Sequence, residues 1–208
     1  EVDHGVSIGG VGMSAWRGVT EHPPSPFVGS TVGRGCDNAA VVRGEEPREA
    51  ESVSKALLVA ANLVVLAVYV VGSGLWVRTG GAWYRSLERP AWQPPDVVFG
   101  LIWPYNFLVL GVVGTLVALN LTAGRWLWIG TFTLSVAGAL AWAYLFYVQQ
   151  WPAASAWALA AAAVLTIPMV VVAFRFNVWA GVAMIPYQVW LVLATSLAVG
   201  YAALNPRS

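Results

Sequence analysis

The stretch Trp83-Tyr-Arg-Ser-Leu-Glu-Arg-Pro-Ala-Trp-Gln-Pro-Pro-Asp-Val-Val-Phe-Gly-Leu-Ile-Trp103 changes character half-way along. Its first half mixes aromatic rings, arginines and prolines, too apolar for a free loop and too interrupted for a long helix. At Pro94-Pro95-Asp96 the chain carries helix-start chemistry. Proline is tolerated in a first helical turn, and an acid there meets the positive end of the helix dipole. From Val97 to Leu119 no charge occurs. That run exceeds the roughly 20 helical residues that cross a bilayer.

Four further uncharged apolar runs repeat the pattern: Ala56–Val77, Trp126–Val148, Ala153–Phe174 and Val178–Leu204. One such run could be a buried core helix; five in succession define an all-α membrane protein, a bundle of five transmembrane helices. Composition agrees. Apolar residues make up 58% of the 208 residues and charged residues 10%, against about a quarter charged in a soluble domain. Eight of the ten acids precede residue 52, and from Ala56 onward six arginines face two acids, leaving that part at +4. Arginine and lysine are divided almost evenly between the two membrane sides, so the positive-inside rule gives no orientation.

Residues 1–52 are rich in Gly, Pro and charge, with no apolar run able to bury a core, and read as a disordered N-terminal extension ahead of a transmembrane domain over 53–208. They lack the basic start and apolar run of a signal peptide. The single cysteine, Cys36, and both histidines, His4 and His22, fall in this extension. The spans therefore offer no thiol or imidazole for a metal, a His-ligated haem or a Ser-His-Asp triad. A net charge of +1 gives no reason to expect a nucleic-acid partner.

Pro104, Pro168 and Pro186 lie inside spans and strand the carbonyls of Gly100, Val164 and Val182, which kinks each helix and should turn the kinks toward the bundle or a cavity. Small-residue stripes, Thr131, Ser135, Ala139 and Ala143 on the third span and Ala194, Ala198 and Ala202 on the fifth, suit close helix packing. Twelve tryptophans are the compositional oddity. Trp76, Trp83, Trp92, Trp126, Trp128, Trp151, Trp157 and Trp179 sit where an interfacial aromatic belt would. Trp190 does not, being near the middle of its span. Phe99, Trp103 and Phe107 share one helical face, as do Trp142 and Phe146, and Tyr187 lies three residues before Trp190.

The opening stretch also resembles the signature of the TspO/MBR family of translocator and tryptophan-rich sensory proteins. The pattern W-Y-x-x-L-x-[KR]-P-x-W-x-P-P-x-x-[VI]-[FL]-G-x-[VI]-W is matched at every position from Trp83 to Trp103. Ile185-Pro-Tyr-Gln-Val-Trp190 is similar to the P-Y-x-x-W of the family's fifth helix, and Trp142-Ala-Tyr-Leu-Phe-Tyr147 to the aromatic end of its third. The resemblance covers about residues 56–205.

It implies a five-helix bundle, often a homodimer, with a cavity for porphyrin or haem as ligand and no obligatory cofactor; some members take sterols. Ligand contacts would come from Trp83, Tyr84, Phe99, Trp103, Phe107, Trp142, Phe146, Tyr187 and Trp190, with the Trp83–Pro95 loop over the mouth. Arg85 and Arg89 would pair with ligand carboxylates there, or anchor at the interface. In a light-dependent porphyrin-degrading enzyme, the alternative reading, Trp103 and Trp190 would be the catalytic pair. A passive carrier of apolar ligands is a third reading, with Val199-Gly-Tyr201 and Arg207 forming a loose sterol pattern; ion-coupled transport finds no ionisable group in the spans. Three departures make the cavity less polar than the family's usual one. Ser135 and Ala139 stand where many members carry asparagines, Ala198 replaces another, and Ala156-Trp-Ala-Leu-Ala lacks the acid often found in the fourth helix.

Overall fold

The computed structural model describes residues 34–206, with side chains from Arg48 onward. The elements are α1 (Arg34–Thr79), the short α2 (Gly81–Ser86), α3 (Asp96–Asn120), α4 (Arg125–Ala143), a π-helical turn (Tyr144–Val148), α5 (Pro152–Phe176) and α6 (Val178–Leu204). No strand occurs among the described residues. Five helices are long and apolar enough to span a membrane: Arg48–Thr79, α3, α4 with its π turn, α5 and α6. The protein is an integral, multi-pass membrane protein. Large apolar side chains such as Val64, Leu101, Leu134, Val164 and Val189 point outward, where the acyl chains of a bilayer would cover them.

α1 begins at Arg34, whereas the sequence suggests no structure before residue 53. Between Arg48 and Lys55 the helix nucleated by the apolar span extends backward at little cost over Arg, Glu, Ala and Lys, which are good helix formers. Glu51 and Lys55 add an i,i+4 ion pair at 2.9 Å. Residues 1–33 lie outside the described residues.

α5 packs most extensively, against α6 on one side and α4 on the other. Small residues allow this. A Cβ on Gly138 would lie 3.1 Å from the Ala158 carbonyl and 3.2 Å from the Ala162 Cβ, and Thr131, Ser135, Ala139 and Ala143 are all buried along α4. The Ser135 hydroxyl donates to the Ala162 carbonyl at 3.0 Å. The second stripe behaves otherwise. Ala194 and Ala198 border the cavity described below, so their small size makes room for space rather than for a helix.

α1 is tied in by a buried polar knot. The Asn62 side chain accepts from Trp128 Nε1 at 3.0 Å and donates to the Leu110 carbonyl at 3.4 Å. It lies flat on Gly114, where a Cβ would come within 2.2 Å of its amide. Trp128 is therefore a core residue, only 1% exposed, not the belt residue its place near a span end suggests. Trp126, Trp157 and Trp179 remain exposed near helix ends.

The proline kinks draw donors from neighbouring helices, one residue away from the carbonyls the sequence singles out. Gln188 Nε2 donates to Ala163 at 3.0 Å, and the Tyr105 hydroxyl to Ala183 at 2.9 Å. Val164 and Val182 are exposed, whereas Ala163 and Ala183 turn inward, so the inward carbonyl beside each kink receives the bond. Pro104 is exposed, contrary to the expectation of an inward kink. It falls in the third turn of α3, and the Gly100 carbonyl it strands is nearer the helix end, where water reaches more easily than at mid-membrane.

Candidate functional site

A cavity of about 340 Å³ opens between α1, α3, the end of α4, α6 and the loop after α2. The size is within the range of small-molecule sites. Tyr84, Phe99, Trp103, Phe107, Trp142, Phe146 and Trp190, all candidates from the sequence, line it. α3 supplies Phe99, Trp103 and Phe107 from one face, four residues apart. Trp103 and Phe107 stack at 5.5 Å, Trp103 meets Trp190 edge-on at 6.4 Å, and Phe99 meets Trp190 edge-on at 5.0 Å. Tyr69 of α1 buttresses this wall from behind, edge-on to Trp103 at 5.9 Å and to Phe107 at 5.4 Å.

The opposite wall depends on the π turn. Gln149 N–H bonds five residues back to the Tyr144 carbonyl at 3.0 Å. A π turn inserts one extra residue into the helical repeat and recurs at functional sites. Here it lets Phe146 and Tyr147 both join Trp142 on the wall. Trp142 stacks on Phe146 at 6.2 Å and meets Tyr147 edge-on at 5.9 Å.

Two sequence candidates fall elsewhere. Trp83 packs on Phe146 at 5.3 Å from the loop side and is absent from the lining, because Phe146 stands between it and the space. Tyr187 is fully buried. It precedes Trp190 by nearly a turn, which places it deeper along α6 and about 60° round the axis, facing Tyr69 and Ser135 rather than the cavity. Of the two arginines, Arg85 is exposed beside Gly81 and Arg89 lies over the Tyr84 ring at 5.9 Å. Neither lines the cavity.

The sequence reading missed Gln93, Tyr147 and Tyr201, the polar-tipped members of the lining, and the α1 residues Val70, Ser73, Gly74 and Val77. The signal for Gln93 was its place inside the matched signature. Tyr201 could have been found from helical spacing, since Trp190, Ala194, Ala198 and Tyr201 follow one face of α6. The Tyr201 hydroxyl donates to Gln93 Oε1 and stands 3.1 Å from the Tyr84 hydroxyl, which also accepts from Gln93 Nε2 at 3.4 Å.

The loop is held over this end of the cavity. Pro90 and Trp92 rest on Gly200, where a Cβ would come within 2.8 and 2.7 Å of them. Asn205 Oδ1 accepts from Glu88 N–H at 2.9 Å, and its Nδ2 donates to the Glu88 carbonyl at 3.0 Å.

The indole N–H groups of Trp142 and Trp190 are buried and have no hydrogen-bond partner. The site is an apolar aromatic box with a polar corner at Gln93, Tyr84 and Tyr201. No group of acids, histidines and cysteines able to hold a metal occurs among the described residues.

Comparison with known proteins agrees with this architecture. The chain is 28% identical over 153 residues to the tryptophan-rich protein TspO of Archaeoglobus fulgidus, covering 71% of this chain and 96% of that protein. It is 29% identical over 120 residues to a tryptophan-rich sensory protein of Cereibacter sphaeroides, covering 55% and 72%. The human translocator protein is 28% identical over 137 residues, covering 61% and 77%. The TspO/MBR family profile matches residues 59–204, from the middle of α1 to the last residue of α6, and the chain belongs to the TspO/MBR family.

Proposed function

We propose that this protein is a tetrapyrrole receptor of the membrane, taking porphyrin or haem into the aromatic cavity beneath the loop. The observation that carries the reading is the aromatic lining itself: Phe99, Trp103, Phe107, Trp142, Phe146 and Trp190 border one space with a polar corner at Gln93, Tyr84 and Tyr201. The rings offer a flat macrocycle faces and edges to stack on. The names of the relatives, sensory protein and translocator protein, suit a receptor or carrier of a membrane-soluble molecule. Arg89, over the Tyr84 ring, would pair with a ligand carboxylate that reaches the mouth.

The test is a spectral titration of the purified protein with protoporphyrin IX in the dark. A saturable change in the porphyrin absorbance at one equivalent supports the reading, and a non-saturating change matched by empty detergent micelles refutes it. A second reading, light-driven oxidation of the bound porphyrin, is favoured by the edge contact of Trp103 with Trp190, two oxidisable rings on one wall. Illuminating the same complex tests it.

A further inference from the structure

We propose that Asn205 is the catch that keeps the loop after α2 closed over the cavity, and that its release from Glu88 sets the rate at which molecules enter and leave. Between Leu87 and Pro95 the backbone has no regular structure, and Gln93 N–H to Pro90 is its one local turn bond among the described hydrogen bonds. Such a segment keeps a fixed path only if something outside it supplies partners. Asn205 does so by pairing with both backbone groups of Glu88 at once, as a neighbouring strand would. The same amide also donates to the Tyr201 carbonyl at 3.0 Å. The catch is therefore anchored to the last turn of the helix that carries Trp190, Ala198 and Tyr201 to the cavity.

The geometry makes Asn205 the separable element of the closure. Gln93 and Tyr84 face the cavity, and Pro90 and Trp92 use the flat seat of Gly200. Asn205 binds the loop from outside the cavity, through backbone atoms alone, without touching the space a ligand would fill. Breaking it loosens the loop and leaves the helix-borne lining in place. Aspartate could not replace it, because a carboxylate accepts from the Glu88 N–H but has no proton for the Glu88 carbonyl.

The inference rests on the cavity being the ligand site, but its first test does not. Ala198→Cys, in a Cys36→Ser background, places a thiol on the cavity wall, and its labelling rate by a small thiol reagent reads how often the cavity opens. Asn205→Ala should speed labelling about tenfold, the loss of two ordinary hydrogen bonds that hold only the closed state. It should also speed exchange of the Glu88 amide. Gly200→Ala, which pushes Pro90 and Trp92 away, should act in the same direction, whereas Asn120→Ala at the far end of α3 should do nothing. Labelling at the unaltered rate in Asn205→Ala would overturn the proposal, whatever happens to the Glu88 amide. With protoporphyrin IX bound, dissociation from Asn205→Ala should quicken likewise. Faster labelling in a protein that binds no porphyrin would leave the catch standing and remove the ligand reading alone.

Discussion

Trp103 and Trp190 meet edge to face, ring centroids 6.4 Å apart and planes at 82°, joining the middle of α6 to the second turn of α3. In that arrangement the positive edge of one ring points at the negative face of the other. The contact leaves a face of the wall open to the cavity, and it explains why a tryptophan occurs where an interfacial belt would never place one. The same pair is where binding and light chemistry would diverge.

Trp142→Phe should be tolerated. In the empty protein it removes a buried, unpartnered donor while keeping a ring on Phe146, so the melting temperature in detergent should hold or rise slightly. Affinity for a flat aromatic ligand should change by less than about 1 kcal/mol, because a ring remains on the wall to stack on. A fall in both would show that the indole is structural.

Trp128→Phe should destabilise by roughly 1–3 kcal/mol, because Asn62 Oδ1 then loses its donor inside the core. Trp126→Phe, two residues away and exposed, should leave thermal unfolding unchanged. Equal effects would mean that the knot at Asn62 holds nothing.

Two glycines should respond in opposite senses. Gly114→Ala drives a methyl into the Asn62 amide and should cost about 1–3 kcal/mol through overpacking. Gly130 has nothing within 4 Å of an added Cβ. Alanine there should be neutral or stabilise α4 by up to roughly 1 kcal/mol, the propensity difference in a helix. Thermal unfolding of the two variants beside the parent checks both.

Under light, Trp103→Phe and Trp190→Phe keep flat rings but lose the more oxidisable indole. If porphyrin is consumed by the protein, loss of its absorbance should nearly stop in either variant while dark binding persists. Bleaching at the rate of free porphyrin in parent and variants alike would leave a receptor only.

Four of the five uncharged runs match their helices to within a few residues, and the first matches the end of α1 though not its start, because in a bilayer length and the absence of charge decide the matter almost alone. The cavity wall on α3 was legible for a related reason, since Phe99, Trp103 and Phe107 repeat at a helical interval. Tyr187 and Trp128 were not. Nothing local says that a tyrosine three residues from a wall residue belongs to the core, or that Asn62, 66 positions away, waits for one particular indole. The π turn has no sequence signal of its own, yet it brings Tyr147 to the wall. Ala194 and Ala198 read as packing residues because small side chains serve both purposes, and only the neighbours tell which.

The central claim, that the aromatic box is where the ligand sits, is tested most directly by dark titration of Trp103→Ala and Trp190→Ala with protoporphyrin IX. Each deletes a wall residue that also supports its neighbour. Burial of such a ring is worth about 1.5–3 kcal/mol, so affinity should fall by about tenfold or more in each folded variant. Parent-like affinity in both would contradict the assignment of the cavity.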